Sequence, residues 1–416
     1  MYKINDTYPA LPPFLFLFRL SATCLSRTAR AILLVLISLC SLTIPAQAEV
    51  SMTVGEFTFR YSSGTFKMSE TYGPQLIDVE DVVVTSNQEE QFTADYLVLK
   101  ATGTMQSLDW IEKIEVVNAQ LISPASAGYE FELETAFLAA ENIHLAQPET
   151  LGKLAERLDD DRNRPTYLKL TGFGLVIPNE GLIFEIDNFV ADGNPDLINS
   201  QLPTGQHVTE ARLENARLLP SGSGETSMMF RFMLSGLGLD ALRLDGQASS
   251  LSRFRSGQFD SELRLDLDAD ALLGVNVVLG SSADEKLYQI LHQAENGETP
   301  DMPDEQQAAL LASLFPKLSM SVKDGGALRI YDSLSSSFGL PDRRELALLT
   351  EYQLKDRLKG SASFLVFPIV DFIRAGGSLT LSARPSALTA DDFSEDEDRF
   401  IQTMIDKAEL NMEHTP

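Results

Sequence analysis

The chain has 416 residues, 33 basic and 60 acidic side chains, a formal net charge of −27 and an apolar content of 44%. That apolar content excludes a disordered acidic tail and supplies core for two to three domains of about 150 residues each. The charge excludes a nucleic-acid partner, whose phosphates it repels, and argues against adsorption to anionic lipid headgroups.

Residues 1–48 carry Lys3, Arg19, Arg27 and Arg30 against Asp6 alone. An apolar run over 31–44 follows, then Pro45 and the small-x-small site Ala46-Gln47-Ala48. This is the order of a secretory signal peptide, cleaved after Ala48 and read by the export machinery. The run is shorter than the roughly 20 residues of a spanning helix. An earlier apolar stretch over 14–20 keeps an uncleaved inner-membrane anchor as the alternative. Removing this leader, whose net charge is +3, leaves 368 residues at −30. Cys24 and Cys40 both lie within it, so the remainder has no disulfide, thiolate metal site or cysteine nucleophile. Leu39 and Thr23, which precede them, do not suit a lipoprotein site.

From residue 49 the chain reads as strand. Glu56-Phe57-Thr58-Phe59-Arg60-Tyr61, Tyr129-Glu130-Phe131-Glu132-Leu133-Glu134 and Leu263-Arg264-Leu265-Asp266-Leu267-Asp268 alternate apolar with polar. Period two puts one set of side chains on an apolar face and the other in water, the pattern of an antiparallel sheet with one wet face. Further strands are expected over 77–85, 94–101, 113–122, 167–177, 181–190, 212–219, 228–234, 241–244, 274–279, 318–322, 327–331 and 377–383, with Gly, Pro, Ser and Asn clustered between them. A loose repeat runs through them: apolar, any, Asn or Asp, apolar, any, apolar. It is centred on Asp81, Asn142 and Asn215, with partial copies at Asn118 and Asn188. Its unequal spacing does not support a strict solenoid, but it suits strands of similar design laid side by side.

Helices are expected over 150–158, 282–295, 303–315, 341–358 and 400–412. Residues 365–374, around Pro368, read equally as helix or strand. The predicted fold class is mainly β (α+β): a long, curved antiparallel sheet, groove or sandwich, with a few helices inserted in the C-terminal third. The expected layout is a leader (1–48), a β-rich region (49–280), a sheet continuation with helical insertions (281–390) and an acidic linker with an amphipathic helix (391–416). Residues 391–398 hold six acids in eight and read as a solvated run.

Chemistry-bearing patterns are sparse. His144, His207, His292 and His414 form no pair at metal-ligand spacing, and no Gly-x-Ser-x-Gly elbow accompanies them. Asp266-x-Asp268-x-Asp270 resembles the start of a calcium loop, but Ala271 and Val277 stand where Gly and Glu are needed. These acids read as the wet side of a strand. Glu132 and Glu134 share a face, as a glycosidase pair would, in a chain rich enough in acids to place such pairs by chance. Gly236-Leu237-Gly238 lacks the third glycine of a dinucleotide site. Trp110 is the single tryptophan, so no aromatic platform for sugars or bases is expected. No catalytic residue, metal or cofactor is expected. The candidate ligand-lining residues are Met228, Phe230, Phe232 and Leu234, soft apolar side chains on one expected strand.

The segment Gly326-Ala327-Leu328-Arg329-Ile330-Tyr331-Asp332-Ser333-Leu334, the helical 343–358 and Ala375-Gly376-Gly377-Ser378-Leu379-Thr380-Leu381-Ser382-Ala383-Arg384-Pro385 resemble exported proteins of alphaproteobacteria. In strand texture the chain is similar to the AsmA-like, bridge-like envelope proteins. That resemblance implies a role in phospholipid traffic; the cleavable leader and shorter length depart from an anchored, periplasm-spanning bridge. The expected function is therefore that of a non-enzymatic periplasmic envelope protein holding or passing a lipid or other hydrophobic ligand in a sheet groove. The alternatives are an envelope-integrity protein with a closed core that binds other envelope proteins, and a hydrolase acting through acids the pattern does not single out.

Overall fold

The alternating segments form strands. The computed structural model describes residues 50–54, 57–67, 69, 71–104, 107–127, 130–149, 166–193, 205–255, 258–270, 272–284, 317–357, 360–384, 407 and 409–416. Sixteen strands, antiparallel in every described ladder, make the chain mainly β, as expected, and the sheet is open. The chain divides into two compact units, one up to Leu168 and the other from Lys169.

In the first unit β1 (Val50–Val54), β2 (Phe57–Tyr61), β4 (Gly73–Ser86), β5 (Gln91–Thr104), β6 (Ser107–Ser123) and β7 (Phe131–Glu149) pair in that order, and β3 (Ser63–Lys67) also pairs β4. One face is a closed core. Ile77, Val79, Leu97, Leu99, Leu108 and Ile111 are at most 1% exposed. Each such side chain stabilises the fold by about 1.5–3 kcal/mol relative to leaving it in water. Phe59 joins this face with its ring 5.6 Å from Tyr61 and 6.5 Å from Phe66.

The loose repeat has a backbone meaning. Asp81, Asn118, Asn142 and Asn215 all adopt positive φ, between 48° and 55°. Asn and Asp tolerate this left-handed region better than other residues with a Cβ. The strands are irregular at these points. Glu80 pairs Tyr96 and Val82 pairs Ala94 on either side of Asp81, and the β10–β11 register shifts between Leu213 and Ala216, around Asn215. At Asn215 this is a bulge; across Asp81 the register holds, but the buried set passes from Ile77 and Val79 to Val82 and Val84, so the inward and outward alternation moves by one residue. Asn188, the fifth copy, is not among the positive-φ residues; its Nδ2 donates to Glu214 at 3.0 Å.

The second unit pairs β8 (Tyr167–Ile177), β9 (Leu182–Asp192), β10 (Gly205–Pro220), β11 (Leu242–Arg255), β12 (Gln258–Ala269), β13 (Leu273–Asp284), β14 (Lys317–Asp324), β15 (Ser378–Ala383) and β16 (Asn411–Thr415) in sequence order. Helix α1 (Glu225–Leu237) connects β10 to β11. Helices α2 (Ala327–Phe338), α3 (Arg343–Arg357) and α4 (Val366–Ala375) connect β14 to β15. Leu218 pairs Leu242, Ala269 pairs Leu273, Leu273 pairs Asp324 and Lys323 pairs Ser378. Both helical insertions therefore leave the sheet at the same end, and there α1 packs against α2.

Three of the four described helices lie in the last third of the chain, and α3 fills the expected 341–358 segment. Its start is a capping box: Asp342 Oδ1 accepts from the Glu345 amide at 2.8 Å, and Glu345 Oε2 accepts from the Asp342 amide at 3.1 Å. The ambiguous 365–374 segment is helical, with Pro368 inside the first turn of α4, where the missing N–H does no harm. Two expected strands are corrected. Residues 228–234 lie in α1, closed at its C-terminus by left-handed Gly238. Residues 327–331 open α2, where the Asp324 carboxylate accepts from the Gly326 and Leu328 amides at 3.0 and 3.2 Å. At the chain end, Met412 belongs to β16 rather than to a helix. The leader, the 150–158 and 303–315 segments, most of 282–295 and 400–412, and the 391–398 acidic run lie outside the described residues.

Candidate hydrophobic-ligand face

Register builds the face from the strands of the second unit. Leu263, Leu279, Leu318 and Ala383 form one row across β12 to β15. Leu265, Val277, Met320, Leu381 and Met412 form the next, reaching β16. Leu267, Val275, Val322 and Leu379 form a third, which ends on His414. Because period two alternates the side chains, all three rows share one side of the sheet.

This apolar side is not closed as it is in the first unit. Leu263 and Met320 are each 40% exposed, and Leu265, Leu267, Val275 and Val277 are half-buried. At the β15–β16 margin the helical segment covers the face. Leu365 is buried there, with Phe364, Leu410 and Met412 packed against it. The His414 ring meets Phe372 edge-on at 6.4 Å, and its Nε2 is 2.7 Å from the Gly376 carbonyl oxygen. Gly377, at φ 89°, allows this closure, since a Cβ there would strike the Thr415 carbonyl of β16.

The opposite side is polar. An open depression of about 840 Å³ is lined by Asp245, Asp266, Asp268, Asn276, Ser321 and Lys323, among others. Its acids are engaged across strands. Asn276 Nδ2 donates to Asp266 at 2.7 Å, and the Asn215 amide donates to Asp245 at 2.7 Å. Asp266 and Asp268 thus occupy the wet side of β12, as their spacing suggested. Among the described residues no group of three or more His, Cys, Asp or Glu side chains is placed to hold a metal ion. Glu132 accepts from Gln120 Nε2 at 2.5 Å and is likewise part of a cross-strand pair.

The four residues chosen from sequence do not form one surface. On the helix Met228 and Phe232 share a side and are 56% and 61% exposed, whereas Leu234 is buried and Phe230 half-buried. The stronger signal was the Leu263-x-Leu265-x-Leu267 alternation, whose exposure depends on what covers the sheet and is not written in the strand itself.

No protein-family model matches the chain, and no curated protein matches it.

The helical end has its own electrostatics. Glu351 on α3 is held below the usual carboxylate range by the hydrogen bond from Lys355 at 2.6 Å, with Arg374 of α4 at 3.1 Å adding to it. Ala347, Val366 and Val370 form a small core under these pairs. Among the described residues no helix is long and apolar enough to cross a membrane.

Proposed function

We propose that this chain is a non-enzymatic protein of the cell envelope that holds or passes a hydrophobic ligand, most simply a lipid acyl chain, on the apolar side of β12–β14. The observation that carries this reading is the contrast between the two units. The same alternating design gives a side whose core residues are buried, none more than 8% exposed, in one unit and a half-open side in the other. Leaving several large aliphatic side chains half-exposed forfeits roughly 25 cal/mol for each Å² not removed from water. A bound acyl chain restores that burial. The signal-like leader, read with the resemblance to AsmA-like proteins, supports a periplasmic location and a lipid as the ligand.

The test is uptake of a fluorescent fatty acid below its micelle concentration. The full chain should bind it, and Leu263→Glu and Met320→Glu should each weaken binding at least tenfold. Both positions are exposed enough for the variants to keep the native far-UV spectrum. A native chain that takes up no probe, or variants that bind as well as it does, would sink the proposal.

A further inference from the structure

Helices that pack on a core turn their large apolar side chains inward. At the end of the second unit they also turn large apolar side chains outward. On α1 the inward positions are Ser227 and Leu234, while Met228, Met229 and Phe232 are 56%, 73% and 61% exposed. On α3 Ala347 is buried and Leu354 packs beside it, while Leu348, Leu349 and Tyr352 are 59%, 51% and 78% exposed. The spacing i, i+1, i+4 with an aromatic last is the same on both helices. Phe367 on α4 adds a third exposed ring, with Lys355 Nζ 5.3 Å from its centroid.

Charge separates this end from the remainder of the chain. Residues 325–377 carry seven basic and six acidic side chains, and α1 carries Glu225 and Arg231. Residues 50–149 carry four basic and sixteen acidic. The argument from acidity against anionic lipid headgroups does not bear on this end in the same way: it is near neutral where the chain as a whole is at −27. Exposed Met, Leu, Phe and Tyr beside Lys and Arg, on helices too short to span, are the composition of a surface that rests in a bilayer interface.

We infer that the helical end formed by α1, α3 and α4 docks on a lipid bilayer with zwitterionic headgroups, inserting Met229, Phe232, Leu349 and Tyr352 at the acyl boundary. Arg344 lies on the same insertion, while Arg343 and Lys355 are held by Asp332 and Glu351, so the surface offers the headgroups little net charge. The inference is carried by the helices alone and does not depend on a ligand occupying the sheet. Because the driving force is apolar, docking is insensitive to salt.

The test uses the full chain, phosphatidylcholine vesicles and brominated phosphatidylcholine as a local quencher. Phe232→Trp should gain emission that brominated vesicles quench by at least half, beyond any quenching of the native Trp110. The native chain should float with vesicles at both 0.05 and 1 M NaCl, and the double variant Met229→Asp/Tyr352→Asp should float at least tenfold less. That variant should still take up the soluble fatty-acid probe, which separates failure of docking from failure of the ligand face. An unquenched tryptophan at position 232, flotation unchanged in the double variant, or substitutions that only dissolve a dimer of this chain would each overturn the inference.

Discussion

Asn118 shows how one side chain can shape a long strand. Its φ of 48° places it in the left-handed region, and its Nδ2 donates to Asp95 across the ladder at 2.7 Å. Left-handed backbone costs an ordinary L-residue about 1–2 kcal/mol, and a β-branched one more. Asn118→Gly should therefore leave the urea midpoint within experimental error of the native value, the freer backbone offsetting the lost hydrogen bond. Asn118→Val should lower stability by about 1–2 kcal/mol or more, and equal midpoints for the two would refute the left-handed backbone as a conformational requirement. Tyr96 supplies a second residue-scale handle. Its hydroxyl donates to Asp78 at 2.8 Å, and this bond, with burial and the carboxylate's charge, pushes its pKa up to about 12. The phenol is thus protonated more firmly in the folded chain than in the unfolded one. Its contribution is complete below pH 10 and is lost as pH rises from about 10 through about 12. Alkaline unfolding followed by tyrosinate absorbance should show the native chain falling in that window, and Tyr96→Phe should fall less steeply.

At the scale of elements, the strands were legible because water on one side and core on the other impose period two, and few other structures do. The Leu263-Arg264-Leu265-Asp266-Leu267-Asp268 run is a strand for that reason alone. The Asn/Asp repeat was legible as a pattern but not as a cause. Backbone φ is not written in alternation, and only the folded backbone reveals the left-handed residue. The misread elements share a different physics. Met228-Met229-Phe230-Arg231-Phe232-Met233-Leu234 is nearly all apolar, so its period is undefined, and the glycines at 224 and 238 decide for a helix. Gly181 then fixes where that helix sits: at φ 64°, a Cβ there would strike Ser227 and the Ser221 carbonyl. Residues 327–331, Ala-Leu-Arg-Ile-Tyr, carry no clear period, and the preceding Asp324, which accepts from the Gly326 and Leu328 amides, decides for a helix. The open apolar face was beyond the reach of pattern altogether. The rows in β12–β14 read like those of the closed unit, and what differs is how far their side chains are exposed.

For the molecule as a whole, the excess of acid is a load that the fold carries on wet strand faces. Sixteen acids against four basic residues over 50–149 leave few partners there. Lys113 engages Glu115, which raises the lysine pKa, but most carboxylates of β4–β7 have no cation within the segment. Such self-repulsion weakens the compact state and is screened as the Debye length falls from about 10 Å at 0.1 M salt to about 3 Å at 1 M. The helical end, with near-equal charges and pairs such as Arg343–Asp332 and Arg374–Glu351, has little to gain from screening. Sodium chloride is the appropriate salt, since sulfate would strengthen apolar burial everywhere. Hydrogen exchange between 0.02 and 0.5 M NaCl should then slow in β4–β7 by severalfold while changing little in α2–α4, and the thermal midpoint should rise over the same range. Equal slowing in both regions would mean that screening acts through a general effect on burial. Faster exchange in β4–β7 would mean that its acids are held by ion pairs that salt breaks, and either result would remove the electrostatic distinction between the acidic strands and the neutral helical end.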